Sequence, residues 1–535
     1  MTIRRREFLA GSGASLTASV ASDKGFAQAP IPAPTSAPAK IHTRLSTVDP
    51  NLSAKTWDSY AKAVQIMLKL PPSDGRNWYR QAMIHQIDCP HGNFWFVNWH
   101  RGYIWRFEQI VRELSGDSDF ALPFWDWSSL QEVPAQVYNG LLNPTNPAFV
   151  DSFNDFWAAY GTATTIYYNS LSASQKAGMN ERGITSPQSL QASISGAWSV
   201  RAQARGNRAL SSRAKAMCSP TTVTQILRLT DFITFGSQPS ANHNDEFKGF
   251  GALEGQPHNN VHNSVGTPYG FMGDFMSPVD PAFWLHHANV DRLWWRWQKL
   301  NPTTRGLPTP QQGLDRWLAE PYQFFFDNVG NPAPAKGADF VSSEALGVTY
   351  GPGFGDAVSA QPFVVASAPA QVRRVELGAG LAGTQALALR NRREVSAQQA
   401  VTPSILAASR GMENAPALIA RIAIMPPADA RFTTVDVFIN HPGLGPNTST
   451  EDPHYVTTIT FFGAAHGVAQ GGHAGHGGGK PVEYAVPLNA ALDALARAGK
   501  PVERTIRVQL RANAPGADGM TLDVRLAGVR VGGEG

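Results

Sequence analysis

Apolar positions in the first 300 residues recur at three- and four-residue steps, which places them on one face of a helix. Residues 52–69 show this through Trp57, Tyr60, Ala61, Val64, Met67 and Leu68, and Pro71-Pro72 ends the run. A second helix is expected over 76–88 and a third over 94–114, where Phe96, His100, Tyr103, Phe107, Ile110 and Leu114 form one inward stripe. The stretch 89–93 between them reads as a loop. Residues 117–127 are an aromatic connection that belongs in the core. Residues 130–250 are rich in Ser, Asn and Gly and predict loops and short helices. Two more helices follow, one from about Glu254 and one over 281–300. From about Asn301 the chain turns loop-rich, and over 362–535 the period shortens to two. Residues 421–425, 434–440, 455–462 and 505–510 are the clearest alternating runs, with Gly and Pro breaks between them. The pattern predicts a mainly α domain followed by a β-sandwich domain.

The histidines sort onto these helices. His258 and His262 are four apart, so a helix turns both imidazoles to one face. A lone pair at that spacing is also what two surface histidines look like. The next helix offers His286 and His287, and a second cluster, His85, His91 and His100, lies upstream. The chain has 14 histidines, and these two clusters take up half of them. Three neutral imidazoles converging without carboxylate or thiolate suit copper, zinc or iron. Structural zinc sites draw on cysteine, so that class is disfavoured. Helices carrying such ligands inward from four directions make an antiparallel four-helix bundle the natural scaffold.

The flanks of these histidines resemble the tyrosinase, catechol oxidase and haemocyanin family. The matching residues are Trp99-His100-Arg101 with Phe107-Glu108, Leu253-Glu254-Gly255 before His258-Asn259, Asp280-Pro281, and the run from His286 to Trp294. The resemblance covers most of 75–300 and implies two copper ions, each held by three histidines. His85, His91 and His100 would hold one, and His258, His262 and His287 the other. His287 is preferred because arthropod haemocyanins carry Trp at the first position of the pair and keep the second His. Asp291, one turn on, would accept a hydrogen bond behind the ligand. Cys89, two residues before His91, matches the Cys-x-His pair that some relatives cross-link by a thioether; a free buried thiol is the alternative.

Phenol has a pKa near about 10 and must lose its proton to bind a metal. Glu254 and Asn259 resemble the family's Glu/Asn pair that holds a water as base. The implied activity is oxidation of phenols by O2: ortho-hydroxylation of monophenols such as tyrosine, and oxidation of o-diphenols to o-quinones. A catechol oxidase or o-aminophenol oxidase without hydroxylase activity is the near alternative, and a haemocyanin-like oxygen carrier the distant one. Residues 343–351 resemble the motif that closes the catalytic domain in plant and fungal relatives, with Val348 where a first Tyr is usual. The tail resembles the C-terminal domain of plant polyphenol oxidases, which implies that it lies across the copper site. The expected layout is a signal peptide at 1–29, a catalytic domain at 30–345, a linker at 346–365 and the C-terminal domain at 366–535.

Composition adds a few constraints. A net charge of +4, of which +2 comes from residues 1–29, leaves no basic face for nucleic acid. No apolar run reaches the ~18 residues of a membrane span. Arg4-Arg5-Arg6-Glu7-Phe8-Leu9 ahead of a mild apolar run resembles a twin-arginine (Tat) export signal, with Ala27-Gln28-Ala29 as the cleavage site and a Pro/Ala spacer after it. Export to the periplasm or the medium is expected. Two cysteines, Cys89 and Cys218, make no disulfide framework. His466, His473 and His476 sit in a Gly-rich stretch, read either as a flexible polar loop or as a copper-delivery segment, with a separate copper chaperone as the alternative partner. His243, between Asn242 and Asn244, reads as a solvated loop residue and not as a ligand.

Overall fold

The first helix starts where Ser53 accepts a hydrogen bond from the Lys55 N–H, and α1 (Ala54–Met67) buries Tyr60, Ala63, Val64 and Met67. The computed structural model describes residues 40–266, 269–359, 417–426, 433–462, 481–500 and 505–513, with strand backbones at 387–388, 395–400 and 525–533. The expected export signal, the Pro/Ala spacer and His466, His473 and His476 lie outside the described residues. Asn77 caps α2 (Trp78–Asp88), every residue of which is buried. The chain turns extended at Cys89 and re-enters a helix at α3 (Phe96–Ser115), which ends on the left-handed Gly116 (φ 73°). These three helices fall where the sequence places them.

Residues 130–250 depart from expectation. They contain α4 (Phe153–Ser170), an 18-residue helix capped by Ser152. It buries Phe156, Tyr160, Thr164 and Tyr168, an i, i+4 stripe that its Ser- and Asn-rich surroundings mask. Glu254–His258 forms a wide π-turn that admits Pro257, and α5 (Asn259–Gly266) continues from it. α6 (Ala282–Leu300) packs against α3, and a Phe107–Trp284 stack 3.6 Å apart lies in the same helical core.

Residues 348–350, at the start of the expected linker 346–365, pair with the segment before α1. β1 (His42–Arg44) pairs in parallel with β3 (Val348–Tyr350). The Tyr350 hydroxyl accepts from Arg44 Nη1 at 2.7 Å and donates to Asp291. Arg44 also pairs with Glu108 at 2.9 Å. The motif is therefore anchored by its tyrosine, with Val348 buried in the place of the missing ring.

The tail is built of strands at each of the expected runs. β5 (Val395–Ala400), β7 (Thr434–Ile439), β8 (Tyr455–Thr460) and β10 (Thr505–Asn513) form one sheet in the order β8-β7-β10-β5. The second sheet contains β4 (Leu387–Ala388), β6 (Leu418–Met425), β9 (Val482–Pro487) and β11 (Arg525–Gly533). A helix the alternation did not predict, α7 (Asn489–Arg497), follows β9. The second sheet also recruits β2 (Gly249–Phe250) from the helical domain, which pairs in parallel with β9 through Gly249–Glu483 and Phe250–Tyr484. Asp436 is fully buried and accepts from Arg213 at 2.8 Å and from Arg511 at 2.7 Å, a second tie between the domains. Among the described residues, no helix is long and apolar enough to cross a membrane.

Candidate metal centre

Four helices, the π-turn and one loop bring the histidines together. His85 comes from α2, His91 from the loop after it and His100 from α3. Their ring centroids lie 5.2 to 5.5 Å apart. His258 and His262 come from the π-turn and α5, and His287 from α6, with centroids 4.5 to 5.5 Å apart. The two groups face each other: His91 lies 5.7 Å from His258, and His100 stacks on His287 at 4.3 Å.

The rings are oriented from behind. His85 Nδ1 donates to the Phe275 carbonyl at 2.7 Å, His100 Nδ1 to the Phe96 carbonyl at 2.8 Å, and His262 Nδ1 to the Met272 carbonyl at 2.7 Å. His258 Nδ1 donates to Asn259 Oδ1 at 2.8 Å. A proton on Nδ1 leaves the Nε2 lone pair bare. The Nε2 atoms of His85, His91, His100 and His258 are buried and have no partner. His262 and His287 point Nε2 at Nε2 across 3.2 Å, and the Nε2 lone pair of His262 has no proton to meet there unless His287 supplies one.

Burial pushes all of these imidazoles below their ordinary range, to about 3 for His100 and for His262. Burial leads, and neighbouring rings lower His85, His91, His258 and His287 further. Neutral, preoriented, unpaired imidazoles in an apolar shell are an expensive arrangement unless metal ions engage them. The donor set, nitrogen only and without thiolate or carboxylate, fits copper.

His286 is also buried, 4.7 Å from His262 and 5.1 Å from His258, with neither nitrogen partnered. It packs against Trp127, whereas His287 also comes within ligating range of His85 and His100. The expectation for Asp291 is corrected: its carboxylate is taken up by Arg101 at 2.5 Å, Arg44 at 3.2 Å and Tyr350, while His287 Nδ1 has no partner. Asp291 lies one turn past His287, but a cation on each neighbouring element draws it away.

Glu254 and Asn259 are both fully buried and do not meet directly. Glu254 accepts from the Gly92 N–H at 2.9 Å and from Ser237 Oγ at 2.6 Å, which ties it to the loop after His91. Burial raises its carboxyl well above the usual range. The Asn259 amide NH2 has no partner. Cys89 Sγ lies 3.3 Å from His91 Nδ1. His243 is not solvated: it is buried between two carboxylates, Asp88 and Glu320.

Two features carried no local signal. One is the set of backbone carbonyls behind the rings. The other is Phe462, just past β8, whose ring lies 4.1 Å from His262, 5.2 Å from His91 and 5.8 Å from His258. It is 1% exposed.

Together the helical core and the two facing groups of histidines fit a pair of metal ions held by imidazole nitrogens. Residues 60–300 match the common central domain of tyrosinase, so the chain carries a tyrosinase-family central domain. Proteins of this family bind two copper ions, and the two histidine groups are the places that fit them. The chain is 28% identical over 351 residues to aureusidin synthase of Antirrhinum majus, covering 60% of this chain and 54% of that protein. It is 25% identical over 352 residues to a tyrosinase of Hahella sp., covering 57% and 62% respectively. The chain spans about half the length of the plant relatives it matches. Its fold is similar to that of latent apple tyrosinase (TM-score 0.57, 19% identity, covering 95% of this chain and 99% of that one). It is also similar to that of latent aurone synthase (TM-score 0.61, 20% identity, covering 93% and 91%).

Proposed function

We propose that this protein oxidises phenols with O2: it hydroxylates monophenols such as tyrosine at the ortho position and oxidises o-diphenols to o-quinones. The observation that carries this is the set of six buried imidazoles, four of them with bare, unpartnered Nε2 atoms, arranged as two facing triads. His85, His91 and His100 would hold one copper and His258, His262 and His287 the other. Contact of His287 with both triads favours it over His286. We read the ligand helices as a four-helix bundle and the two sheets of the tail as a sandwich.

Bound copper supplies O2 binding and the electron transfer that turns a catechol into a quinone. The protein does the rest. The Phe275, Phe96 and Met272 carbonyls hold three rings by their Nδ1 protons, so the Nε2 lone pairs converge without reorganisation. Asn259 orients His258 and keeps a free amide NH2 at the site. A water held between that amide and Glu254 would accept the phenol proton, a step about 3 pH units uphill at neutral pH without a base. Glu254, whose affinity for a proton burial has raised, suits that role. The Cys89–His91 contact is where a thioether would form.

The tail would act as a cover, since Phe462 occupies space beside three candidate ligands. The twin-arginine start would direct export. Oxygen uptake with tyrosine and with catechol tests the reading. Both should be consumed, and Asn259→Ala should lose tyrosine turnover at least tenfold while catechol turnover changes less than about threefold. Reversible O2 binding without quinone would favour the oxygen-carrier alternative.

A further inference from the structure

Beneath the first triad lies a charged residue that copper chemistry does not itself require. His243 Nε2 sits 2.9 Å from Asp88 Oδ1, and its Nδ1 sits 2.6 Å from Glu320 Oε1. The same Glu320 oxygen accepts the His243 backbone N–H at 2.8 Å. Both ring nitrogens meet carboxylate oxygens, so both carry protons and the ring is an imidazolium. Burial alone would strip that charge, but the two carboxylates outweigh it and hold the group at about 9.

The ring's partners are the parts that carry the first triad. Asp88 is the last residue of α2, one turn after His85. Its second oxygen accepts from Trp99 Nε1 at 2.9 Å, and Trp99 precedes His100 on α3. The His243 carbonyl accepts from Asn93 Nδ2 at 2.9 Å, in the loop that carries His91. Tyr322 packs edge-on at 5.4 Å. On the far side of the loop, Arg182 donates to the Cys89 carbonyl at 2.6 Å and pairs with Glu246 at 3.1 Å.

We propose that His243 is a positioning residue for the first copper: clamped between Asp88 and Glu320, it locks the end of α2 and the His91 loop against α3, so that His85, His91 and His100 keep their convergence. The proposal rests on the assignment of those three histidines to one copper. It differs from a general packing role because its loss should weaken one metal and spare the other. Outer partners of metal ligands typically set affinity by about 10–100-fold.

The test is His243→Gln in the full chain, loaded with copper and titrated with a chelator, with copper content and electron paramagnetic resonance followed together. The wild-type pair should be magnetically coupled and silent. The variant should keep its circular dichroism, release one copper at a chelator concentration about 10–100-fold lower, and then show the signal of a single uncoupled Cu(II). Simultaneous loss of both coppers, or resistance equal to wild type, would overturn the proposal. If His243→Gln does not fold, Glu320→Gln carries the same test with the same two outcomes, because it discharges one jaw and keeps the ring. Wild-type protein that takes up no copper would overturn the copper reading itself, a result separate from equal resistance in a loaded variant.

Discussion

Replacing Phe462 by alanine should unmask activity without proteolysis. The ring packs 4.1 Å from His262, 5.2 Å from His91 and 5.8 Å from Phe275, with 1% of the residue exposed. Burial of such a side chain is worth about 1.5–3 kcal/mol. Ring–ring contacts add about 0.5–1.5 kcal/mol each beyond that. A phenol that must displace this ring therefore works against about 3 kcal/mol, which lowers its apparent affinity by roughly 10²-fold. In Phe462→Ala that opposition is gone, while β2–β9 pairing and the Arg213–Asp436 ion pair still seat the tail. The assay is oxygen uptake with catechol over a range of concentrations, on full-length protein of verified copper content. The expected result is a rise in kcat/KM of roughly 10²-fold, mostly through KM. Removal of the whole tail should give a similar rise. Unchanged kcat/KM, within about threefold, at two coppers per chain would refute the covering role.

Three further outcomes are expected. His287→Ala should hold one copper per chain, whereas His286→Ala should hold two; metal analysis decides, and the reverse order would exchange their roles. Burial holds His100 and His262 at about 3 against an ordinary 6.5, so the unfolded chain binds more protons between those values. The metal-free protein should therefore lose stability as pH falls from about 6.5 towards 3, and a Tm that stays flat from pH 7 to 4.5 would contradict this. Tyr350→Phe removes the hydroxyl that links Arg44 to Asp291 and should cost about 1.5–3 kcal/mol in urea unfolding; an unshifted midpoint would dismiss the latch.

Helices α1 and α3 were legible because each carries an apolar stripe, on α3 beside His100, while the grouping of the histidines into two triads rested on the resemblance of their flanks. Periodicity was less informative where burial is complete. Along α2 every residue is buried, so its existence rested on length and context. Helix α4 escaped because Ser and Asn around it read as loop, although Phe156, Tyr160, Thr164 and Tyr168 keep a four-residue step. His243 was misread for a different reason. Its neighbours Asn242, Asn244 and Asp245 are polar, while the groups that bury it, Asp88 and Glu320, lie 155 and 77 residues away. Asp291 was misplaced likewise, since Arg44 and Arg101 reach it from distant elements. The two-residue strand β2 is too short for any period, yet it ties the tail to the segment that supports Glu254 and His91.

Copper binding by the full-length protein is the most direct measurement. Metal-free protein titrated with copper should saturate at two ions per chain, and the loaded protein should be silent in electron paramagnetic resonance because the ions share one pocket. Saturation at a single ion, or two ions with two independent signals, would contradict the paired-triad site.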